Sequence, residues 1–456
     1  MSAEFEHSQF AEVSSNIHDV HTGLIRAGSK MSRRNIRVRV GMSLLRAFFR
    51  RFIHKGTLTV ISPDGRFEQI GHGAPSVAIR ITNSSVIPWL LTNPDLAIGE
   101  AYMDGALVIE GGDIYDFLDL CFANLGRSGG HGVRRLHSTI MRLGRHIAQH
   151  NPIQVARANV EHHYDLSDTL YELFLDADRQ YSCAYYNSPA DTLELAQEQK
   201  KQHLAAKLLL RPGQRLLDIG SGWGGRAIGL ARVADVDVTG LTLSIKQHAY
   251  AQRRANKIGV DDRVTFVLRD YRQEYGRYDR IVSVGMFEHV GVGYYREYFK
   301  KIRDLLEDNG VALIHTIGRA DGPGAANAWV NKYIFPGAYV PALSEILPAI
   351  EQAGLYVTDI EVLRLHYAET LKAWRHRFNI NRKRVAELYD ERFCRMWEFY
   401  LAGSEAAFRH GGLVNFQIQL SKQVDMVPMT RNYIADWERS RVEGGAAPTS
   451  AFAALR

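Results

Sequence analysis

The chain has 456 residues, of which 46% are apolar and 23% charged, which is typical of a globular protein with roughly two to four domains. It has no run of about 18 apolar residues, so no membrane-spanning helix is expected, and residues 1–20 lack the apolar block of a signal peptide. The three cysteines, Cys121, Cys183 and Cys394, are odd in number and lack metal-ligand spacing. These features exclude a disulfide-rich secreted domain and predict a cytoplasmic protein with free thiols.

The positive charge is concentrated near the N-terminus. The net charge is +6, and residues 26–55 contain ten Lys and Arg but no Asp or Glu. After a tail at residues 1–35 that we expect to be flexible, residues 43–54 have the periodicity of a basic amphipathic helix. Its apolar face consists of Leu44, Leu45, Phe48, Phe49, Phe52 and Ile53, and its basic residues are Arg46, Arg50 and Arg51. Such a helix either packs on its own domain or contacts anionic lipid. Nucleic acid is a weaker candidate, because no basic groove rich in aromatic residues is evident.

Alternating apolar residues after the basic helix predict a small antiparallel sheet. Its strands are expected at residues 57–62, 66–70 and 77–82. Helical patterns follow at residues 94–100 and 114–123. We therefore predict an α+β domain at residues 36–125. A Gly-rich linker and a basic helix at residues 126–152 lead to a large domain at residues 153–443, and residues 444–456 are expected to form a disordered tail.

The large domain begins its regular pattern with a buried strand, a turn containing Gly220, Gly222, Gly224 and Gly225, and then a helix. Further strands, with helices between most of them, are predicted at residues 236–241, 264–268, 278–284, 311–317 and 355–363. This alternation predicts an α/β fold with a doubly wound, mostly parallel sheet of the Rossmann-like type. Residues 326–344 are expected to form an insertion or lid, and residues 383–421 are expected to form long helices.

The glycine turn indicates a nucleotide ligand, since strand, glycine turn and helix start together offer backbone N–H groups to it. Gly220 and Gly222 fit a dinucleotide motif, but no acid follows the second strand, where such a site binds a ribose. The turn therefore suits S-adenosylmethionine better. Asp218 either braces the loop or meets the ammonium group of the ligand, and the sequence leaves both roles open.

Several segments in a fixed order resemble the cyclopropane-fatty-acyl-phospholipid synthases, which are relatives of the mycolic acid methyltransferases. The resemblance covers about residues 153–440, and it rests on residues 162–167, 181–185, 217–225, 240–244, 278–290, 315–318 and 331–336. Residues 56–125, with Gly-Glu-Ala-Tyr-Met-Asp-Gly at 99–105, look like the N-terminal domain of that family, which the resemblance implies engages lipid. The implied fold is that of a class I methyltransferase.

The resemblance assigns two groups of site residues. The S-adenosylmethionine site is expected to contain Tyr181, Ser182, Asp218, Gly220, Gly222, Thr242, Leu243, Gln247, Asp270 and Tyr271. Glu288 follows the fourth strand in an apolar run, and an unpaired buried carboxylate is costly enough to suggest a function. The resemblance implies that Glu288, Cys183, His315, Tyr367 and the backbone of Ile317 hold a bicarbonate ion that acts as general base. No metal is expected.

The implied reaction is transfer of a methylene group to the cis double bond of an unsaturated phospholipid acyl chain, which forms a cyclopropane ring. Alternatives are a methylene- or methyl-branched product, methylation of a small amine or soluble acid, and lipid binding without catalysis. The expected location is the cytoplasm, with peripheral association with the inner membrane face and with phospholipid as partner. The resemblance also suggests a homodimer.

Overall fold

The computed structural model describes residues 33–125 and 166–442. The predicted linker and helix at 126–152, the tail at 444–456 and most of the tail at 1–35 lie outside the described residues. The described chain from Leu45 onward belongs to one compact unit. No helix within the described ranges is long and apolar enough to cross a bilayer.

The basic helix α1 (Arg33–Arg50) begins earlier than the sequence predicts and ends four residues sooner. Leu45, Phe49 and Ile53 of the predicted apolar face are buried, whereas Leu44 is 54% exposed. A Cβ atom added at Gly71 would lie 3.1 Å from a methyl group of Ile53, so this face packs against the strand that contains Gly71. The apolar face thus packs on its own domain, and Arg50 and Arg51 remain exposed.

A four-stranded sheet follows, with strand order β2-β1-β3-β4. Its strands are β1 (Gly56–Ile61), β2 (Phe67–His72), β3 (Ser76–Ile81) and β4 (Leu107–Gly111). The prediction of an antiparallel sheet was wrong for one pair, because β1 and β3 are parallel. The turn that follows β2 passes the first residues of β1, where the Thr57 N–H donates to the Pro75 carbonyl at 2.8 Å. β3 therefore pairs with the edge of β1 opposite to the edge that pairs with β2. Three helices accompany the sheet: α2 (Ile87–Thr92), α3 (Pro94–Met103) and α4 (Ile114–Leu125).

The large sheet has seven strands in the order β10-β11-β9-β8-β5-β6-β7. They are β5 (Arg215–Ile219), β6 (Asp237–Thr242), β7 (Val264–Leu268), β8 (Tyr278–Val284), β9 (Leu306–Arg319), β10 (Tyr356–Leu363) and β11 (Leu413–Ser421). The five neighbouring strands β9, β8, β5, β6 and β7 are parallel to one another. Strand β11 is antiparallel to both β9 and β10. This arrangement confirms the predicted α/β fold with a mostly parallel, doubly wound sheet.

Helices cover the large sheet and form the wall above its carboxyl ends. They are α5 (Asp168–Phe174), α6 (Leu193–Lys207), α7 (Gly225–Ala234), α8 (Ile245–Ile258), α9 (Tyr295–Leu305), α10 (Ala328–Tyr333), α11 (Leu343–Ala353), α12 (His366–Ile380), α13 (Arg382–Leu388), α14 (Glu391–His410) and α15 (Asn432–Val442). Helix α14 packs against both α3 and α4, so it joins the small sheet region to the large one.

The prediction of long helices throughout residues 383–421 was wrong at its end. Helix α14 ends at His410, and strand β11 lies beside β9 within the sheet. The strand alternates Phe416 and Ile418 with Gln417 and Gln419, and all four side chains are buried. The sequence therefore has the alternation of a strand with one solvent-exposed face, although in the structure its polar face is buried as well.

Candidate active site

A cavity lies at the carboxyl ends of β5, β6 and β8, where a doubly wound sheet binds its ligands. We call it the glycine-loop cavity. Nine of the ten residues predicted for the S-adenosylmethionine site line it, and they are Tyr181, Ser182, Gly220, Gly222, Thr242, Leu243, Gln247, Asp270 and Tyr271. The tenth, Asp218, does not. The structure therefore brings together side chains from separate segments of the chain.

The glycine turn needs its glycines for conformation and for space. Gly220, Gly222 and Gly224 have φ values of +84°, +57° and +82°, in the left-handed region that other residues rarely adopt. A Cβ atom at Gly224 would also lie 2.6 Å from the Phe266 ring and 2.8 Å from the Ala251 methyl. The turn can thus bend sharply from β5 into α7 and expose its backbone to the cavity.

Asp218 braces this turn from beneath. Its carboxylate accepts hydrogen bonds from Arg226 Nε at 3.1 and 3.2 Å, and both side chains are buried. Arg226 Nη2 also donates to the Gly220 carbonyl at 2.9 Å. Of the two roles that the sequence left open for Asp218, the geometry supports bracing of the loop.

Two of the cavity's polar groups are held by hydrogen bonds to neighbours. Thr242 Oγ1 donates to Gln247 Oε1 at 3.1 Å, so these two residues act as a pair at the end of β6. Asp270 accepts from Arg272 Nε at 2.8 Å and from the Arg272 backbone N–H at 2.9 Å. The sequence prediction omitted Arg272, Trp223 and His289, which also line the cavity. Trp223 and His289 lie within residues 217–225 and 278–290, two of the segments that carry the family resemblance, and that position could have identified them as site residues.

A second, more apolar cavity adjoins the first and shares Tyr181, Ser182, Gly285 and His289 with it. We call it the apolar cavity. All five predicted catalytic residues line it: Cys183, Glu288, His315, Ile317 and Tyr367. Much of the remaining wall is apolar and includes Ala325, Val330, Phe335, Val340, Leu371, Phe408 and Leu413. The two cavities therefore meet beside the segment that carries Tyr181 and Ser182.

Glu288 lies in a 3-10 turn directly after β8 and is buried. Its Oε1 accepts a 2.6 Å hydrogen bond from the Ile317 backbone N–H, while its buried Oε2 has no hydrogen-bond partner among the described residues. Burial raises the pKa of Glu288 to about 7, although the Ile317 hydrogen bond acts in the opposite direction. The residue therefore presents one unsatisfied oxygen to a polar ligand.

His315 and Cys183 are neutral groups on the same cavity wall. The His315 ring nitrogens lie 3.2 Å from the side-chain amides of Asn415 and Gln417 on β11. Burial, with the positive charges of Lys200 and Arg226, holds the pKa of His315 well below its ordinary value. Burial raises the pKa of the Cys183 thiol, which keeps its proton and donates to the Ala184 carbonyl at 3.3 Å.

The segment predicted to form a lid covers the apolar cavity. Val330 and Asn331 of α10 line it, and the Tyr339 N–H donates to the Glu288 carbonyl at 2.9 Å. The other side of α10 contacts α3, where Glu100 accepts hydrogen bonds from Lys332 at 2.7 Å and from the Tyr333 hydroxyl at 2.8 Å. The lid is therefore fastened both to Glu288 and to the small N-terminal region.

Two family models and several known proteins match the sequence of this chain. A family model described as mycolic acid cyclopropane synthetase matches residues 152–418, and another, described as a domain of unknown function (DUF7884), matches residues 44–127. The chain is 38% identical over 354 residues to a probable fatty acid methyltransferase of Pseudomonas putida, covering 76% of this chain and 87% of that protein. It is 37% identical over 356 residues to the cyclopropane-fatty-acyl-phospholipid synthase of Escherichia coli strain K12, covering 78% of this chain and 90% of that protein.

A solved structure is also similar. The crystal structure of mycolic acid cyclopropane synthase CmaA1, complexed with SAH and CTAB, has a TM-score of 0.56 and 33% sequence identity to this chain. The similarity covers 59% of this chain and 98% of that one. Since the first family model spans more than half of the 456 residues, the chain belongs to the mycolic acid cyclopropane synthetase family of S-adenosylmethionine-dependent methyltransferases.

Proposed function

We propose that the protein transfers a methylene group from S-adenosylmethionine to the cis double bond of an unsaturated phospholipid acyl chain, forming a cyclopropane ring, with bicarbonate as general base. The observation that carries the proposal is that the apolar cavity, which adjoins the glycine-loop cavity, combines a largely apolar wall with a buried Glu288 that has one unsatisfied oxygen. The names of the Escherichia coli relative and of the CmaA1 structure support the same chemistry.

The residues of the glycine-loop cavity fit the cofactor. The loop at Gly220 and Gly222 exposes its backbone, Thr242 and Gln247 would hold the ribose hydroxyl groups, and Asp270 and Tyr271 would hold the adenine end. When bound, S-adenosylmethionine supplies an electrophilic methyl group. The shared wall at Tyr181 and Ser182 would place that group beside the apolar cavity, so that proximity supplies much of the rate.

The apolar cavity would accept the acyl chain and exclude water, which otherwise would trap a cation on the chain as an alcohol. Tyr181, Phe335 and Tyr400 line it as a connected aromatic group, with the Tyr181 and Tyr400 hydroxyls 2.8 Å apart. Aromatic faces stabilise a nearby cation by about 0.5–2 kcal/mol. These rings would therefore favour positive charge developing on the double-bond carbons.

The donor set around Glu288 fits a small oxyanion that also carries a proton. The orphaned Oε2 of Glu288 can accept a hydrogen bond from the hydroxyl group of bicarbonate. The side chains of Cys183, His315 and Tyr367 line the same cavity and would enclose the ion. In this role Glu288 positions the ion, and the ion takes the proton from the new methyl group.

We infer that the substrate reaches the protein at a membrane surface. Arg50 and Arg51 at the end of α1 are exposed and would attract anionic lipid, while residues 36–125 would serve as a lipid-engaging domain beside a methyltransferase domain at residues 153–443. Peripheral association with the cytoplasmic face of the membrane and assembly as a homodimer belong to the same proposal.

The test is incubation of the purified protein with S-adenosylmethionine labelled in its methyl group and vesicles of monounsaturated phospholipid. Labelled cyclopropane acyl chains, identified by NMR after lipid extraction, are the expected result. Absence of label from every acyl chain would refute the proposal.

A methyl- or methylene-branched product is the second candidate, and the name of the Pseudomonas putida relative, a probable fatty acid methyltransferase, favours it. A methylene branch would form on the same cavity wall if a hydride first moved from the methylated carbon to the neighbouring cationic carbon and the new methyl then lost a proton. Saturation of that methylene to a methyl branch would need hydride from a separate reductase. The ring and the methylene isomer have the same mass, so the NMR signals of ring and vinylidene protons distinguish them.

A further inference from the structure

Lys200 on α6 is a buried cation with no direct counter-ion. Its side chain is 0% exposed, and among the residues that the structure describes no carboxylate oxygen lies within 4.0 Å of its Nζ. Nζ donates instead to Ser182 Oγ at 2.8 Å and to Gln180 Oε1 at 3.0 Å. The buried carboxylate of Asp176 acts on Lys200 from beyond this distance, and a buried ammonium group that no carboxylate contacts directly is costly.

The contacts of Gln180 and Ser182 show that Lys200 is held in place from both sides. Gln180 Nε2 donates to Asp178 Oδ2 at 2.7 Å, which turns the amide oxygen of Gln180 toward Lys200. One turn earlier on α6, Gln197 Nε2 donates to the carbonyl oxygens of Ser182 at 3.0 Å and Gln180 at 3.3 Å. Helix α6 is therefore hydrogen-bonded to residues 180–182, the segment that lies between the two cavities.

Ser182 transmits the charge of Lys200 into the cavities. It lines both of them, and its Oγ accepts the Lys200 hydrogen bond. Its own hydroxyl proton is then free to be donated, and no acceptor for it is found in the described parts of the chain. A hydroxyl that accepts from an ammonium group is a stronger donor, and such donors suit anionic acceptors.

The charge of Lys200 is itself sensitive to what the cavities hold. Burial, with the nearby positive charge of Arg226 acting in the same direction, lowers the pKa of Lys200 to about 7, although the negative charge of Asp176 acts in the opposite direction. An anion bound at the junction would favour the charged ammonium form, because opposite charges stabilise each other in a buried site. The bound anion and the charged lysine would thus stabilise one another.

We propose that Lys200 is a positioning residue that, through Ser182, gives the junction of the cavities its affinity for a carboxylate-type anion. Two ligands of the proposed function, on which this inference rests, carry that chemistry: the amino-acid end of S-adenosylmethionine and bicarbonate. Lys200 balances the anion's charge from behind the cavity wall and fixes the direction of the Ser182 hydroxyl.

Calorimetric measurement of the binding of two ligands tests whether the anion is the carboxylate of S-adenosylmethionine. S-Adenosylmethionine carries the carboxylate, and decarboxylated S-adenosylmethionine keeps the ammonium and sulfonium groups without it. In Lys200→Met, affinity for S-adenosylmethionine should fall about 10- to 100-fold, while affinity for the decarboxylated ligand should change less than about twofold. Ser182→Ala should show the same selectivity, and the double variant should lose little more than Lys200→Met alone.

Whether the anion is bicarbonate is tested by the rise in unfolding temperature that bicarbonate causes in the cofactor-bound protein. If the anion is bicarbonate, Lys200→Met and Ser182→Ala abolish that rise and bind both cofactors as the wild type does. Lys207→Met removes another buried lysine of α6, which pairs with Asp359 and Glu361, and it is the control for loss of a buried lysine from this helix.

The proposal is overturned if the affinities for both cofactors fall equally while the bicarbonate response persists, or if neither readout changes. Should Lys200→Met fail to fold, Ser182→Ala alone distinguishes the same outcomes. None of these readouts requires turnover, so a protein that fails to make cyclopropane rings would refute the proposed function and leave this test intact.

Discussion

Glu288 and Ile317 face each other across the ends of β8 and β9, and the Ile317 backbone N–H donates to Glu288 Oε1 at 2.6 Å. That hydrogen bond fixes the carboxylate, while its other buried oxygen has no hydrogen-bond partner among the described residues. Since β9 pairs with β8 in parallel, the sheet itself sets the distance between the two residues. Glu288 is thus built into the sheet edge as a rigid acceptor.

Glu288→Gln should reduce turnover by about 100-fold or more, because the amide cannot replace a carboxylate acceptor in positioning a general base. Cofactor binding, measured by calorimetry with S-adenosylhomocysteine, should remain within a few-fold of the wild-type value. Glu351→Gln, on the exposed side of α11, is the matched control and should be as active as the wild type. Wild-type turnover by Glu288→Gln would remove Glu288 from the mechanism.

The stability of the protein should depend on pH through Glu288. Burial raises the pKa of Glu288 from 4.5 to about 7, so the folded protein keeps a proton that the unfolded chain releases. The stability contribution is therefore present at low pH and is lost as pH rises through about 7, a change of about 2–3 kcal/mol between pH 5 and 8. Urea unfolding of the wild type and of Glu288→Gln in bicarbonate-free buffer measures it. Parallel pH curves for the two proteins would contradict the prediction.

The sequence predicts the parallel strands well because each combines an apolar run with a clear boundary. Strands β7 and β8 have the predicted bounds, and β5 and the glycine turn after it follow each other as predicted. β11 was missed because the predicted helix was extended past Gly411 and Gly412 into residues that alternate as a strand does. This alternation shows the strand but not the burial of its polar face, where the partners of Gln417 and Gln419 lie on other elements, including His315 on β9. A pattern along one strand does not show which buried amides are satisfied.

The sequence alone does not show the role of Asp218 or the position of the Lys200 side chain, because each depends on a contact with a residue elsewhere in the chain. Asp218 could face the ligand or the loop, and only the buried Arg226 beside it decides between them. Lys200 stands next to Lys201 in a polar stretch of α6, and adjacent lysines are ordinarily expected at the surface. Lys201 does pair with acids, whereas Lys200 turns inward to Ser182.

Gly99→Ala should disturb the lid from the side of α3. An added Cβ would lie 2.4 Å from Trp329 Nε1 and 2.9 Å from the Phe399 ring, so Trp329 and helix α10 must shift. Overpacking of this kind typically costs about 1–3 kcal/mol, and the shift would widen the apolar cavity at Val330. We expect lower unfolding stability and a higher KM for phospholipid.

The control for Gly99→Ala is Gly111→Ala at the end of β4, where an added Cβ meets no atom within 4 Å. It should leave both the stability and the KM unchanged. If Gly99→Ala lowered stability but left the kinetics with phospholipid intact, α3 would support the fold of the small domain without controlling the lid.

Asp218→Asn should destabilise the protein by about 3–5 kcal/mol, because it leaves the buried guanidinium of Arg226 without its partner. Arg226→Met removes the other half of the pair, and the double variant should be more stable than the sum of the single losses predicts. Unfolding in urea measures all three. A loss of cofactor affinity in Asp218→Asn at unchanged stability would instead indicate direct contact between Asp218 and the ligand.

Charge reversal at Arg50 and Arg51 should weaken binding to vesicles that contain anionic phospholipid. Each basic residue near such a surface contributes about 1 kcal/mol, so Arg50→Glu/Arg51→Glu should reduce binding by more than about tenfold in low salt. Wild-type binding should itself weaken as salt rises, since the Debye length shortens. Vesicle sedimentation measures both effects. Arg253→Glu/Lys257→Glu removes the same charge from the exposed side of α8 and should bind almost as the wild type does. Equal losses in the two variants would indicate a response to net charge, and binding insensitive to salt would assign the attachment to apolar insertion.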